Sequence, residues 1–184
     1  MLRAPFKVIL DANVLYPFTL RDTLLRTAED GFCQIYWSAE ILEETRRNLV
    51  ANAQMTEDHA AKLVATMIAV FPEAMVTAYE AYKRAAENQE KDRHVVAAAI
   101  KIGAQVIVTC NIKDFQNLPE GIEAQTPDVF LANLFDLDPR RFVELLKQQA
   151  TDLKNPPVAF DQLLLRLQKV TPNLVSTLRH LLGP

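Results

Sequence analysis

Phe6-Lys7-Val8-Ile9-Leu10 is a β-branched, nearly unbroken apolar run that stops at Asp11, and Gln105-Val106-Ile107-Val108-Thr109 has the same character. Runs without polar alternation suit strands buried on both faces, as in parallel sheets. Gln34-Ile35-Tyr36-Trp37 is a third such run. Between them the apolar positions recur at helical spacing over 22–30, 38 to about 51, 56–70 and 92–102, the last stopped by Gly103. Strands alternating with helices predict an α/β fold with a mostly parallel central sheet. Ala74-Met75-Val76-Thr77 and Ile122-Glu123-Ala124-Gln125 are candidates for further short strands.

From Pro127 the pattern becomes wholly helical. Pro127-Asp128 opens one stretch through Phe135, Asp138-Pro139 opens another through Leu153, and Asn155-Pro156-Pro157 breaks the chain. Two amphipathic stretches follow, Phe160 to Val170 and Pro172 to Leu182, with Thr171 placed to cap the last and Pro172 at its first position. The expected division is a body over 1–137 and a helical extension over 138–184, the extension packing on the body or offering an apolar groove to a partner helix.

Composition narrows the chemistry. The 184 residues are 49% hydrophobic and 23% charged, which suits a globular chain with a sizeable core. Four scattered glycines allow neither a phosphate-binding P-loop nor a GxGxxG fingerprint. Two cysteines and three histidines form no CxxC or HExxH, and neither serine sits in a GxSxG elbow. A net charge of −3 provides no general basic field for nucleic acid, so any such contact must be local. The opening Met1-Leu2-Arg3 leads into an apolar run too short for a signal core or a membrane span. The expectation is a soluble cytoplasmic protein, bacterial or archaeal, with no membrane partner.

Carboxylates are what remain for chemistry. Asp11 stands where the first strand ends, the edge at which open α/β sheets bind ligands, and Asp114 follows the Val106–Val108 run in a loop at the same edge with Asn111 beside it. Either also suits a turn or cap. Asp92 heads a helix whose buried face is Val95, Val96, Ala99 and Ile100, and it projects toward the middle of that face, where it could cap the helix or bind an ion. In the helix after Ser38, Ile41, Leu42, Thr45 and Leu49 define the buried side. Glu44 flanks that side, whereas Glu40, Glu43 and Arg47 form a solvated stripe with no assigned chemistry. Several convergent hard-oxygen ligands suit Mg2+ or Mn2+, ions that lower the pKa of a water and neutralise phosphoryl charge.

Taken together, Val8-Ile9-Leu10-Asp11-Ala12-Asn13, Ile41-Leu42-Glu43-Glu44-Thr45-Arg46-Arg47-Asn48-Leu49, Asp92-Arg93-His94-Val95-Val96-Ala97-Ala98-Ala99 and Val108-Thr109-Cys110-Asn111-Ile112-Lys113-Asp114-Phe115 resemble the PIN-domain nucleases over about residues 5 to 135. The resemblance implies a fold in three layers, α/β/α, and a metal-dependent endoribonuclease, often the VapC-type toxin of a toxin–antitoxin pair, that leaves 5′-phosphate and 3′-hydroxyl ends. It implies Asp11, Glu44, Asp92 and Asp114 as the acidic cluster, with Asp11 and Asp92 as principal ligands of Mg2+ (or Mn2+). Asn13, Thr109 and Asn111 would be supporting neighbours, and Arg46, Arg93 and Lys113 stand close enough in sequence to hold RNA phosphates. RNA, a cognate antitoxin and a second copy of the chain are the implied partners. The helical tail after 138 is longer than in the compact toxins of the family. Two rivals are a haloacid-dehalogenase-type phosphatase, which would need a second Asp where Asn13 stands, and a catalytically silent PIN-like module that only binds a protein or RNA.

Overall fold

The computed structural model describes residues 6–183, so Met1-Leu2-Arg3 lies outside the described residues. Five strands form one sheet: β1 (Lys7–Leu10), β2 (Gln34–Ser38), β3 (Met75–Val76), β4 (Val106–Val108) and β5 (Glu123–Gln125). Their order is β3-β2-β1-β4-β5 and every pairing is parallel, with Ile9 opposite Tyr36 on one side and Ile107 on the other. Successive strand residues face opposite sides, and Val8, Ile9 and Leu10 are all fully buried, so helices cover both faces. This is the α/β fold with a parallel sheet that the apolar runs predict, in the three α/β/α layers that the PIN-like resemblance implies.

The helices are α1 (Ala12–Leu15), α2 (Phe18–Glu29), α3 (Ala39–Ala51), α4 (Glu57–Val70), α5 (Arg93–Ile102), α6 (Pro127–Leu137), α7 (Pro139–Asp152), α8 (Phe160–Leu167) and α9 (Pro172–Leu182). α2 begins at Phe18, four residues before the expected Asp22, with Pro17 as its extended flanking residue, ψ 123°, supplying the break that Asp22 was expected to mark. α3 starts on its cap, the Ser38 hydroxyl accepting from Ile41 N at 3.2 Å. α5 ends at Gly103, whose φ of +64° is the left-handed conformation that stops a helix. α5 packs on the sheet and against a 3-10 turn at Glu80–Ala85, a contact made close by Ala97 and Ala98; the sequence pattern gave no sign of that turn.

The tail packs on the body. α7 lies along α2, where Thr23 Oγ1 donates to Gln149 Oε1 at 2.9 Å with both residues fully buried, and Phe142 meets Phe32 and Phe135 edge to face. α6 packs on β5 and on α7 and α9. One expectation fails at α9. Thr171 occupies the cap position, but its hydroxyl donates backward to Leu167 O at 2.9 Å and caps nothing. The cap comes from Asp128 on α6, which accepts from Asn173 N, Asn173 Nδ2 and Leu174 N at 3.1, 2.8 and 3.0 Å. No helix among the described residues is long and apolar enough to cross a membrane.

Candidate active site

With all five strands parallel, their carboxyl ends share one edge, and α5, which runs back into β4, starts at that edge. A cleft of about 830 Å3 opens there, lined among others by Asp11, Asn13, Glu44, Asp92, His94 and Asn111. The topology therefore brings three of the four predicted acids to one wall.

Asp11 is the most fixed of them. Its Oδ1 accepts from Ala12 N, and its Oδ2 accepts from Asn13 Nδ2 and Thr109 Oγ1, all at 2.7 Å. Asn13 Oδ1 in turn accepts from Cys110 N at 2.9 Å, and Thr109 Oγ1 accepts from Asn13 Nδ2 and Asn111 N, both at 3.0 Å. The ends of β1 and β4 are thus laced together around one carboxylate. Burial still pushes the Asp11 carboxyl up to about 6, the Thr109 bond opposing it and the charge of Glu44 reinforcing it.

Asp92 differs. It holds the cap position of α5 yet makes no capping bond, and its Oδ2 is buried without a hydrogen-bond partner. The Lys91 ammonium stands 3.8 Å away, an ion-pair distance beyond hydrogen-bond reach. Burial raises the Asp92 carboxyl above its ordinary range; Lys91 opposes that, and Asp114 and Glu44 add to it. The structure therefore supplies no capping role for Asp92 and, among the described residues, leaves its enclosed Oδ2 without a hydrogen bond.

Glu44 comes from the flank of α3, half-exposed, with Oε2 at 3.9 Å from His94 Nε2. Asp114 does not line the cleft; it sits at the rim, where Oδ2 accepts from Lys91 Nζ at 3.1 Å, and its backbone carbonyl accepts from Asn88 Nδ2 at 2.8 Å. Among the described residues no three Asp, Glu, His or Cys side chains stand close enough to enclose a metal ion. The donor set, all hard carboxylate oxygens with two raised above their ordinary range, nevertheless fits Mg2+ or Mn2+ in its chemistry.

The three basic candidates lie off the cleft. Arg46 is bound to Glu43, at 2.6 Å, and to Glu57; Arg93 Nε donates to Asn88 O at 3.0 Å; Lys113 is exposed. Arg47 and Lys91 line it instead. The stripe of Glu40, Glu43 and Arg47 is exposed as expected, but it forms part of the cleft wall, a correction to the reading that left it without a role. A helical pattern identifies the side of α3 turned from the core; it does not reveal that a neighbouring loop curves around that side. Glu40 there accepts from Tyr79 Oη at 2.7 Å and Lys83 Nζ at 2.6 Å. Sequence reasoning gave His94 no task; it is buried with Val95 through Ala99 in the first turns of α5.

A parallel five-stranded sheet carries carboxylates at its carboxyl edge, and the PIN-domain family model matches residues 7–113, more than half of the chain. The chain belongs to the PIN-domain family. A second family model, the VapC50 C-terminal domain, matches residues 127–180, taking in α6 through α9. A Mycobacterium tuberculosis protein named "Putative ribonuclease VapC50" is 35% identical over 100 residues, covering 53% of this chain and 59% of the relative. The match thus spans less than two thirds of that relative's length. No solved structure gives a significant match.

Proposed function

We propose that the chain is a divalent-metal-dependent endoribonuclease and the toxin component of a toxin–antitoxin pair. The observation that carries the reading is Asp92, a half-buried carboxylate at a helix start that caps nothing and keeps one enclosed oxygen without a hydrogen-bond partner among the described residues, beside Asp11 and Glu44. Such an arrangement destabilises the protein unless a ligand answers it, and hard-oxygen donors select Mg2+ or Mn2+. Support also comes from the PIN-domain match and from the VapC50 likeness.

Asp11 and Asp92 are assigned as the metal ligands, Glu44 as the third, and Asp114 as an outer acid acting through Lys91. Once bound, the ion supplies a water of lowered pKa and neutralises charge on the phosphoryl oxygen. Asn13 and Thr109 hold the Asp11 carboxylate in one orientation, and Asn111 is anchored to the same network. Lys91 and Arg47 stand in the cleft wall where an RNA phosphate approaches, which compensates an otherwise acidic surface. A cognate antitoxin and a second copy are the expected protein partners, in the cytoplasm.

The test is cleavage of a panel of single-stranded and structured RNAs by the purified protein in Mn2+, Mg2+ or chelator, with Asp92→Asn in parallel. The expected result is metal-dependent cutting that the variant loses by a factor on the order of 100 or more, since losing a direct ligand costs at least what losing an outer partner does. RNA binding without cutting by either protein, in every metal, would instead establish the silent binding module.

A further inference from the structure

His94 is the polar group of the cleft that this reading leaves without a task. It sits in the first turn of α5, its side chain 9% exposed, and Nε2 is buried with no hydrogen-bond partner. A buried ring nitrogen left unpaired has given up its water without a replacement, which is unfavourable. Every other residue of this turn that enters the core is apolar, Val95, Val96 and Ala97 among them. The atom nearest to answering Nε2 is on another helix: Glu44 Oε2, 3.9 Å away, on a side chain that is 40% exposed and so has several rotamers open to it. Closing about 1 Å brings the pair into hydrogen-bond range.

Resting on the nuclease reading, we propose that His94 is a positioning residue: its Nε2–H donates to Glu44 Oε2 and holds that carboxylate turned into the cleft beside Asp11 and Asp92. Asp11 is pinned by three donors. Among the described residues no hydrogen bond holds the side chain of Asp92 or of Glu44, but Asp92 is the shorter and is 16% exposed, against 40% for Glu44, so of the acids assigned to the ion Glu44 has the most freedom to lose. A rigid imidazole on the core side limits that loss, as outer partners of metal-binding groups do. The donor exists in the cationic form and in the neutral tautomer with its proton on Nε2, so the role does not depend on a change of protonation.

The test is direct measurement of Mn2+ affinity, by the electron paramagnetic resonance signal of free Mn2+, for the wild type, His94→Phe, His94→Gln, Glu44→Gln and the His94→Phe/Glu44→Gln pair. Thermal unfolding verifies that each variant is folded. The expected result is a loss of about 10-fold for His94→Phe, recovery to within about 3-fold of wild type for His94→Gln, whose amide carries an N–H to about the same place, and no added loss for the pair beyond Glu44→Gln alone. Wild-type affinity in His94→Phe, or losses that multiply in the pair, overturns the positioning role while leaving the nuclease reading intact. Absence of Mn2+ binding in the wild type overturns the metal-dependent reading itself, and the inference with it.

Discussion

Two aspartates at helix starts, the half-buried Asp92 and the buried Asp128, show how the same residue type serves opposite ends in one chain. Asp128, 8% exposed, spends its carboxylate on three N–H groups at the start of α9 and so ties α6 to the end of the tail. Asp92 stands at the head of its own helix, makes no cap, and keeps a buried oxygen without a hydrogen bond. The first is explained entirely by the fold. The second is left unanswered by the fold, and the proposed metal role is the reading that accounts for it.

Asp128→Ala is the sharpest way to separate the two. Removing it strips α9 of its cap and strands the buried Leu174 N–H, so the expected loss of stability is about 3–4 kcal/mol, with RNA cleavage per folded molecule unchanged. Urea unfolding alongside the cleavage assay checks it; lost cutting at unchanged stability would erase the distinction drawn here.

A smaller effect tests the cleft by pH. Asp11 binds its proton more tightly folded, at about 6, than at its ordinary value of 3.8, so the metal-free protein is destabilised as pH rises through that window. The expected decline from Asp11 between pH 4 and 7 is about 2–3 kcal/mol, and Asp11→Asn should remove it. Unfolding at both pH values, in chelator, gives the answer; an equal decline in the variant would assign it elsewhere. Saturating Mn2+ should also flatten the wild-type curve, because the ion favours the ionised form.

The smallest effect concerns the wall. Arg47→Ala should lower the slope of log affinity for RNA against log salt by about one unit, and Arg46→Ala, whose guanidinium is bound to Glu43 and Glu57, should leave it unchanged. The reverse outcome would move the RNA path from the cleft to the outer side of α3.

Much of this was legible before any coordinates. Val8-Ile9-Leu10 and Val106-Ile107-Val108 declare themselves because a strand covered on both faces has no polar positions, and that places Asp11 and Thr109 at one edge. The flank position of Glu44 follows from Ile41, Leu42 and Thr45. What escaped depends on contacts that no local pattern carries. Asp128 caps a helix whose first residues lie some 45 positions further on, so Thr171, a sound local choice, was expected to do its work. The extent of the cleft wall, with Glu40, Glu43 and Arg47, depends on how the chain around Glu90 and Lys91 folds beside α3. His94 required knowing that the 3-10 turn at Glu80–Ala85 closes over α5.

The sheet has one property that bears on assembly. Its two outermost strands are also among its shortest, two residues at Met75–Val76 and three at Glu123–Gln125, so few backbone groups are left for a neighbouring strand to pair with. Growth of the sheet from chain to chain is therefore blocked at both margins. The exposed large apolar side chains, Leu137, Leu165 and Leu181 among them, stand on the helices and not on the strands, so the helices are where the surface has apolar area to offer.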